Sequence, residues 1–264
     1  MYISRHSFVL CLALAAPVVL AQVILSQSTQ SASSTAIQPE AWQIMQLANQ
    51  ARAQAGAGPL HWDVALAAAA RQHCLRMAAE GQLSHQFAGE PDAGQRAGQA
   101  GAHFSLIEEN VALAPTPAAI HYGWMHSPPH RSNLLNPQVD HVGIAVVAGR
   151  DGLYAVADYE RVVQVLTRTQ IETQVASLLH GVTILSDPTL ARNACAADSG
   201  LPRPASGSKP RFVMVWMDSQ LTQLPQALAD ELATGKYHRA SVGSCSAQDE
   251  EGSFTAYRIA VLLY

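Results

Sequence analysis

Charged residues are scarce in this chain of 264 residues, of which they make up 14%, and the formal net charge is −4. No run of lysines and arginines occurs anywhere. Proteins that bind nucleic acid or anionic membranes need a concentrated positive patch. The composition therefore argues against a nucleic-acid partner. Apolar residues make up 48% of the chain, enough to build the core of one large domain or two small ones.

Two familiar catalytic signatures are also missing. The sequence contains no Gly-x-Ser-x-Gly motif, which would place a nucleophilic serine on a sharp turn. It contains no His-Glu-x-x-His motif, which would set two zinc ligands on one helical face. The sequence therefore gives little support to nucleophilic catalysis, and less to a zinc protease that uses the His-Glu-x-x-His motif.

The N-terminus carries an export signal. An apolar stretch at residues 8–20 follows basic residues and ends with small side chains before Gln22. This pattern predicts a signal peptide at residues 1–21 and a secreted, periplasmic or cell-envelope protein. An uncleaved membrane anchor is the alternative, because apolar residues resume at positions 23–25. The polar residues 22–38 that follow predict a disordered linker.

Cysteine is rare, with four residues in the whole chain, and cleavage of the signal peptide would remove Cys11. An oxidising compartment permits a disulfide. We expect it between Cys195 and Cys245, which flank the same C-terminal segment. Cys74 lies in the middle of an alanine-rich helical pattern, where a buried, inert thiol is expected.

Periodicity and capping residues divide the rest of the chain into two parts. In residues 39–162 we expect helices from Pro39 to Gly56, from Asp63 to Gly81 and from Thr116 to His126, a long loop over residues 82–105, and two hairpin strands at Val142–Val147 and Leu153–Tyr159. In residues 165–264 we expect helices at Gln170–Leu179 and Leu221–Ala233, strands at Phe212–Met217, Ser241–Cys245 and Thr255–Leu263, and a loop over residues 199–210. The sequence shows no convincing internal repeat.

Several separate blocks in the first part form one ordered pattern. They are Asn49-x-x-Arg52, Gly58-Pro59-Leu60-x-Trp62-Asp63-x-x-Leu66, Cys74-x-x-Met77-Ala78, Leu83-Ser84-His85, Glu109-Asn110-Val111-Ala112, Trp124-Met125-x-Ser127-Pro128-x-His130-Arg131-x-Asn133-x-Leu135-Asn136-Pro137 and Val142-Gly143-Ile144. In this order and spacing the set resembles the CAP superfamily of cysteine-rich secretory, antigen-five and pathogenesis-related proteins, in its bacterial form. The resemblance covers about residues 40–160 and does not extend to residues 165–264.

That resemblance implies an α/β fold in which residues 39–162 form an α-β-α sandwich around a central antiparallel sheet. Residues 165–264 would follow as a smaller α+β C-terminal unit of unknown role. The resemblance also implies an open cleft, in which His85 and His130 match the two histidines of the family and Glu109 matches its first glutamate. The second acidic position is taken by Ser127. Pro129 stands where the pattern prefers glycine, so the orientation of His130 is expected to differ.

Two imidazoles and a carboxylate form a reasonable ligand set for zinc or another divalent cation, here His85, Glu109 and His130. The leading hypothesis is an extracellular binding module rather than an enzyme, which holds a metal ion, a small amphiphilic ligand or a glycan in this cleft. A metal-assisted hydrolase acting on peptides or cell-envelope polymers is the first alternative. A structural or interaction protein is the second, with residues 255–264 presenting a strand edge to an unknown protein partner. A purely structural hydrogen-bonded His85–Glu109 pair also stays open.

Overall fold

The computed structural model describes residues 37–197, 209–245 and 254–264. The signal peptide and most of the linker predicted from the sequence lie outside these residues. The helices are α1 (Pro39–Ala55), α2 (Val64–Glu80), α3 (Ala93–Gln99), α4 (Pro117–His126), α5 (Pro128–Leu135), α6 (Arg168–Leu178), α7 (Thr189–Ala196) and α8 (Gln226–Ala233). The strands are β1 (His61–Trp62), β2 (Phe104–Ala114), β3 (His141–Ala148), β4 (Leu153–Val162), β5 (Thr183–Ile184), β6 (Phe212–Asp218), β7 (Arg239–Cys245) and β8 (Tyr257–Leu263).

The first sheet has the strand order β1-β3-β4-β2. Strands β2, β3 and β4 are antiparallel, and the short β1 runs parallel to β3. Helix α2 packs on one face of this sheet, where Ala70, Cys74 and Met77 share a buried cluster with Ala145 of β3 and Val156 of β4. Helices α1 and α4 contact each other as well as the sheet. The expected α-β-α sandwich is therefore confirmed.

Local chemistry sets the ends of the long helices where the sequence predicts them. The side chain of Asp63 accepts a hydrogen bond of 2.8 Å from the backbone N–H of Leu66 and caps α2. Gly56 and Gly81 end α1 and α2 with φ of 76° and 68°, in the left-handed region that glycine adopts without strain. Thr116 caps α4 in the same way as Asp63 caps α2.

Close contact between α2 and β3 depends on Gly143. A Cβ atom at this position would lie 2.1 Å from the backbone nitrogen of Ala67 and 2.2 Å from the carbonyl carbon of Leu66. No side chain fits in that space, so only glycine lets the helix lie directly on the strand. This close contact sets the distance between α2 and the sheet.

The second sheet has the strand order β5-β7-β8-β6. Helices α6 and α8 cover one face, where Ile171, Val175 and Leu228 join a buried cluster with β7 and β8. Helix α7 covers the other face through Ala191, Ala194 and Cys195. The predicted disulfide between Cys195 and Cys245 is present, with their Cα atoms 5.7 Å apart, and Cys74 is a buried free thiol as expected. Burial raises the pKa of the Cys74 thiol to about 12, which suits an inert side chain.

Several expectations from the sequence were wrong in detail. The predicted loop over residues 82–105 contains helix α3, and β2 begins within it at Phe104. The helix expected at Leu221–Ala233 begins only at Gln226, because Pro225 stands at its N-terminal boundary. Strand β8 is not an edge, since it pairs with β6 on one side and β7 on the other. The edge that was predicted for residues 255–264 is therefore internal to the sheet. None of the helices in the described part of the chain is long and apolar enough to cross a membrane.

Candidate functional site

His85 and Glu109 meet where the loop after α2 approaches strand β2. Nδ1 of His85 lies 2.7 Å from Oε1 of Glu109. A carboxylate can only accept, so Nδ1 carries the proton and the neutral imidazole keeps its lone pair on Nε2. The hydrogen bond to Glu109 raises the pKa of His85, although partial burial acts against it. The side chain of His85 is 60% exposed whereas that of Glu109 is 5% exposed, so the pair spans the boundary between solvent and core.

Arg96 of α3 holds the other side of the same carboxylate. Its Nη2 donates to Oε2 of Glu109, and the two side chains are 4% and 5% exposed. Its Nη1 donates to the carbonyl oxygens of Pro91, at 2.8 Å, and of His85, at 3.3 Å. One guanidinium therefore neutralises Glu109 and fixes the backbone of His85.

Asp158 lies beside Glu109 on the neighbouring strand. The two residues are Cα partners in the β2–β4 ladder, and Asp158 is fully buried. Neither of its oxygens has a hydrogen-bond partner among the described residues. Burial and the adjacent charge of Glu109 raise the pKa of Asp158 well above its ordinary value. Both effects favour the protonated form of Asp158, in which its O–H can donate to Glu109.

His130 lies on helix α5, which several polar contacts fix in place. Asn110 Nδ2 donates to the carbonyl oxygen of His130 at 2.9 Å, and Asn133 Nδ2 donates to the carbonyl oxygen of Glu109 at 3.1 Å. The buried Arg52 donates to the carbonyl oxygens of Leu134, Asn136 and Val139 at 2.9 Å, at the end of α5. Burial lowers the pKa of His130, and the nearby His85 lowers it further. His130 is therefore neutral over a wider pH range than His85.

The two remaining predicted features of the cleft lie between α4 and α5. Ser127 occupies the N-cap position of α5, and its side chain makes no capping hydrogen bond. Pro128 and Pro129 fall in the first turn of α5, where a fixed φ near −65° suits the helix. Pro129 thus fits the first turn of the helix that presents His130, and a changed orientation of His130 stays a prediction.

These side chains fit a metal ion only in part. Among the described residues no group of three His, Cys, Asp or Glu side chains converges to hold a metal ion. Both oxygens of Glu109 are already engaged, one by His85 and one by Arg96. The predicted set of His85, Glu109 and His130 thus contains two imidazoles that are available as direct ligands, with Glu109 placed behind one of them. Water would have to complete the coordination of a divalent cation.

Sequence reasoning missed Arg96 and Asp158. Helix α3, which carries Arg96, lies in a Gly- and Gln-rich stretch that resembles a loop. Its signal was the capping box of Asp92 and Gln95, whose side chains bond each other's backbone N–H. Asp158 stood out only as one of two acids, with Glu160, in the otherwise largely apolar strand β4. Its partner could not be known without the register of β2 and β4.

Comparisons with known proteins agree with this architecture. Residues 45–165 match the model of the cysteine-rich secretory protein family, CAP. The uncharacterized protein YkwD of Bacillus subtilis (strain 168) is 26% identical over 121 residues, which cover 46% of this chain and 47% of YkwD. The uncharacterized membrane protein YlbC of the same organism is 32% identical over 106 residues, which cover 39% of this chain and 30% of YlbC. The chain therefore spans less than half the length of these relatives.

Solved structures with some likeness include an extracellular protein containing an SCP domain from Bacillus anthracis. It is 29% identical, with a TM-score of 0.43, and the match covers 46% of this chain and 40% of that chain. A cysteine-rich secretory protein from Staphylococcus aureus is 27% identical, with a TM-score of 0.38 and coverage of 46% and 38%. On the family match, residues 45–165 are a CAP domain. The match ends at residue 165, so the CAP domain is followed by a C-terminal unit that the family model does not cover.

Replacement of Asp158 tests the shared proton. A carboxyl whose pKa is raised on folding contributes stability below its unfolded pKa of about 3.9, and this contribution is lost as pH rises towards the folded value. Asp158→Asn keeps the size and a donor but cannot ionise. We expect unfolding free energies at neutral pH within about 1 kcal/mol of the original or higher. We also expect a smaller loss of stability as the pH rises above about 4.

Denaturant titrations at several pH values measure this difference. Asp151→Asn, at an exposed aspartate in the turn between β3 and β4, is the matched control and should leave the pH slope unchanged. If Asp158→Asn has the same slope as the original protein, Asp158 does not hold a proton in the folded state.

Proposed function

We propose that this chain is an extracellular binding protein whose CAP domain holds a divalent cation such as zinc on His85 and His130. The predicted signal peptide supports an extracellular location. So does the Cys195–Cys245 disulfide, because such bonds persist in oxidising compartments. Glu109 acts in this proposal as the partner that orients His85, and not as a ligand.

The observation that carries the proposal is the hydrogen bond from Nδ1 of His85 to Glu109. Metal-binding histidines commonly donate one ring N–H to a carboxylate, which fixes the tautomer and leaves the other nitrogen for the metal. Here Glu109 engages Nδ1 at 2.7 Å, and the side chain of His85 is 60% exposed. The nitrogen left for a ligand is therefore on an accessible ring.

A second histidine–glutamate pair in the same domain provides a contrast. Nδ1 of His73 lies 2.8 Å from Oε1 of Glu90, but its Nε2 lies 2.7 Å from the carbonyl oxygen of Ser84. The side chain of His73 is completely buried. Both nitrogens are used, so this pair serves only to hold the loop after α2. Like His73, His85 contacts a glutamate through Nδ1, but its Nε2 is left for another partner.

His130 supplies the second imidazole in this proposal. Its lowered pKa keeps it neutral and able to coordinate a cation at neutral pH. The charge of His85 contributes to the lowered pKa of His130. A bound divalent cation would polarise its water ligands, but binding requires only the two imidazoles and the groups that position them.

Calorimetric titration with zinc chloride tests the proposal. The original protein should bind one zinc ion, and His85→Ala and His130→Ala should each weaken binding by about 100-fold or more because each removes a ligand. Glu109→Gln should weaken it by about 10- to 100-fold, as loss of the orienting partner usually does. His126→Ala is the matched control, since His126 is an exposed neighbour that bonds the carbonyl oxygen of Tyr122 at 2.8 Å.

The pattern across the variants separates the outcomes. Undiminished zinc binding in a variant that lacks both His85 and His130 would rule out this site. Equal losses in His126→Ala would show that zinc binds histidines at the surface without a defined site.

A groove beside the cleft favours a small anionic amphiphile as a second candidate ligand. It has a volume of about 650 Å³ and is lined by Met125, Pro128, Leu135 and Pro137 together with Arg131. Volume and lining are in the range of sites for small ligands. The apolar side chains suit an acyl chain, and the guanidinium of Arg131 suits a carboxylate head group.

Titration with decanoate tests this second candidate. Leu135→Asp, which places a charge in the groove, should weaken binding at least about tenfold, and Arg131→Ala should weaken it as well. His85→Ala should bind decanoate as the original protein does. Equal binding by Leu135→Asp would exclude the groove.

A further inference from the structure

The two sheets of this chain are built from the same succession of elements. Leaving out α3 and α5, the first part runs α1-β1-α2-β2-α4-β3-β4, and the second runs α6-β5-α7-β6-α8-β7-β8. The strand orders, β1-β3-β4-β2 and β5-β7-β8-β6, are also the same when each strand is matched by its place in the succession.

Strand directions agree at every step. The short strands β1 and β5 both pair in parallel with the first residues of the following β3 and β7. The pairs β3–β4 and β7–β8 are antiparallel, as are β2–β4 and β6–β8. The layers agree too. Helices α2 and α7 each pack on one face of their sheet, α2 together with the inserted α3, while α6 and α8, like α1 and α4, belong to the other face.

A close approach of helix to strand is repeated at matching positions. A Cβ atom on Gly143 of β3 would lie 2.1 Å from the backbone nitrogen of Ala67 in α2. A Cβ atom on Gly243 of β7 would lie 2.2 Å from the backbone nitrogen of Arg192 in α7. Both glycines follow a valine, and both let a helix rest directly on the third strand. We propose that residues 168–263 are a second, shortened CAP-type sandwich.

When Gly143 is matched with Gly243, the two cysteines of the disulfide in the second sandwich correspond to two alanines in the first. Counting from Ala67 and Arg192, the residues one turn further along the helices are Ala70 and Cys195. Two residues beyond the glycines are Ala145 and Cys245. Ala70 and Ala145 belong to one buried cluster, and Cys195 and Cys245 are bonded. Helix α2 has 17 residues and α7 has 8, so the bridge secures the shorter helix, which has less surface to bury.

The second sandwich lacks the chemistry of the cleft. The row Gly143, Asp158 and Glu109 across the first sheet corresponds to Gly243, Ala260 and Val215 across the second. Both acids are therefore replaced by apolar residues. Helix α8 ends at Ala233 and β7 begins at Arg239, which leaves no room for an equivalent of α5 and its His130. The chain thus combines one sandwich that has the polar residues of the cleft with one that lacks them and carries a disulfide where the first has Ala70 and Ala145.

The proposed repeat is compatible with the finding that the sequence shows no convincing internal repeat. The matching residues are too few to detect: Val142-Gly143 corresponds to Val242-Gly243, but the helix residues that approach the two glycines, Leu66-Ala67 and Ala191-Arg192, differ in type. The remaining similarity lies in backbone arrangement.

A transferred disulfide tests the proposal without reference to any ligand. In the full chain with Cys74→Ala, the changes Ala70→Cys and Ala145→Cys should produce a bridge between positions 70 and 145 on air oxidation. Its geometry should match that of Cys195–Cys245, whose Cα atoms are 5.7 Å apart. Thiol counting and peptide mapping under non-reducing conditions would detect the bridge. Ala68→Cys with Ala145→Cys is the control, because Ala68 is exposed and should stay unbridged.

The result that would overturn the proposal is a folded protein in which the native bridge forms while positions 70 and 145 keep free thiols. A second pair of variants covers the case in which the introduced cysteines prevent folding. Gly143→Ala and Gly243→Ala should both lower the thermal midpoint strongly, whereas Gly123→Ala, where an added Cβ meets nothing within 4 Å, should not. An unchanged midpoint in Gly243→Ala would contradict the matched packing.

Discussion

The ionised side chain of Glu109 is buried in the first sheet, and such a carboxylate requires hydrogen-bond donors around it. His85 satisfies one of its oxygens and Arg96 the other, while burial and the charge of Glu109 raise the pKa of the neighbouring Asp158. These contacts join a loop, a short helix and two strands. One buried carboxylate therefore connects these elements.

The same requirement explains why the two histidines differ. The hydrogen bond to Glu109 raises the pKa of His85, while burial and proximity to His85 lower that of His130. The two rings titrate in different pH ranges although they face one cleft. Helix α5 can present His130 because Arg52, Asn110 and Asn133 bind its carbonyl groups and the adjacent strand. Arg52, Asn110 and Asn133, which are not proposed as ligands, thus position His130, which is.

Much of the CAP domain could be predicted from the sequence because its signals are local. Asp63 and Thr116 cap helices, Gly56 and Gly81 end them, and the turn between β3 and β4 is marked by glycines. The pairing of Asp158 with Glu109 could not be predicted, because it depends on the register of two strands distant in sequence. The repeat in residues 168–263 was hidden for a similar reason. Sheet order and the close approach at Gly243 are properties of the backbone, which leave few traces in side-chain identity.

The central claim is that Glu109 fixes His85 with its proton on Nδ1 and its lone pair on Nε2. Long-range proton–nitrogen NMR correlations of the histidine rings measure this directly, since a protonated and an unprotonated ring nitrogen differ widely in chemical shift. Above the raised pKa of His85, its ring should show the Nδ1–H form, and Glu109→Gln should shift the balance between tautomers. A ring of His85 that carries its proton on Nε2, or exchanges between both forms with Glu109 intact, would contradict the account.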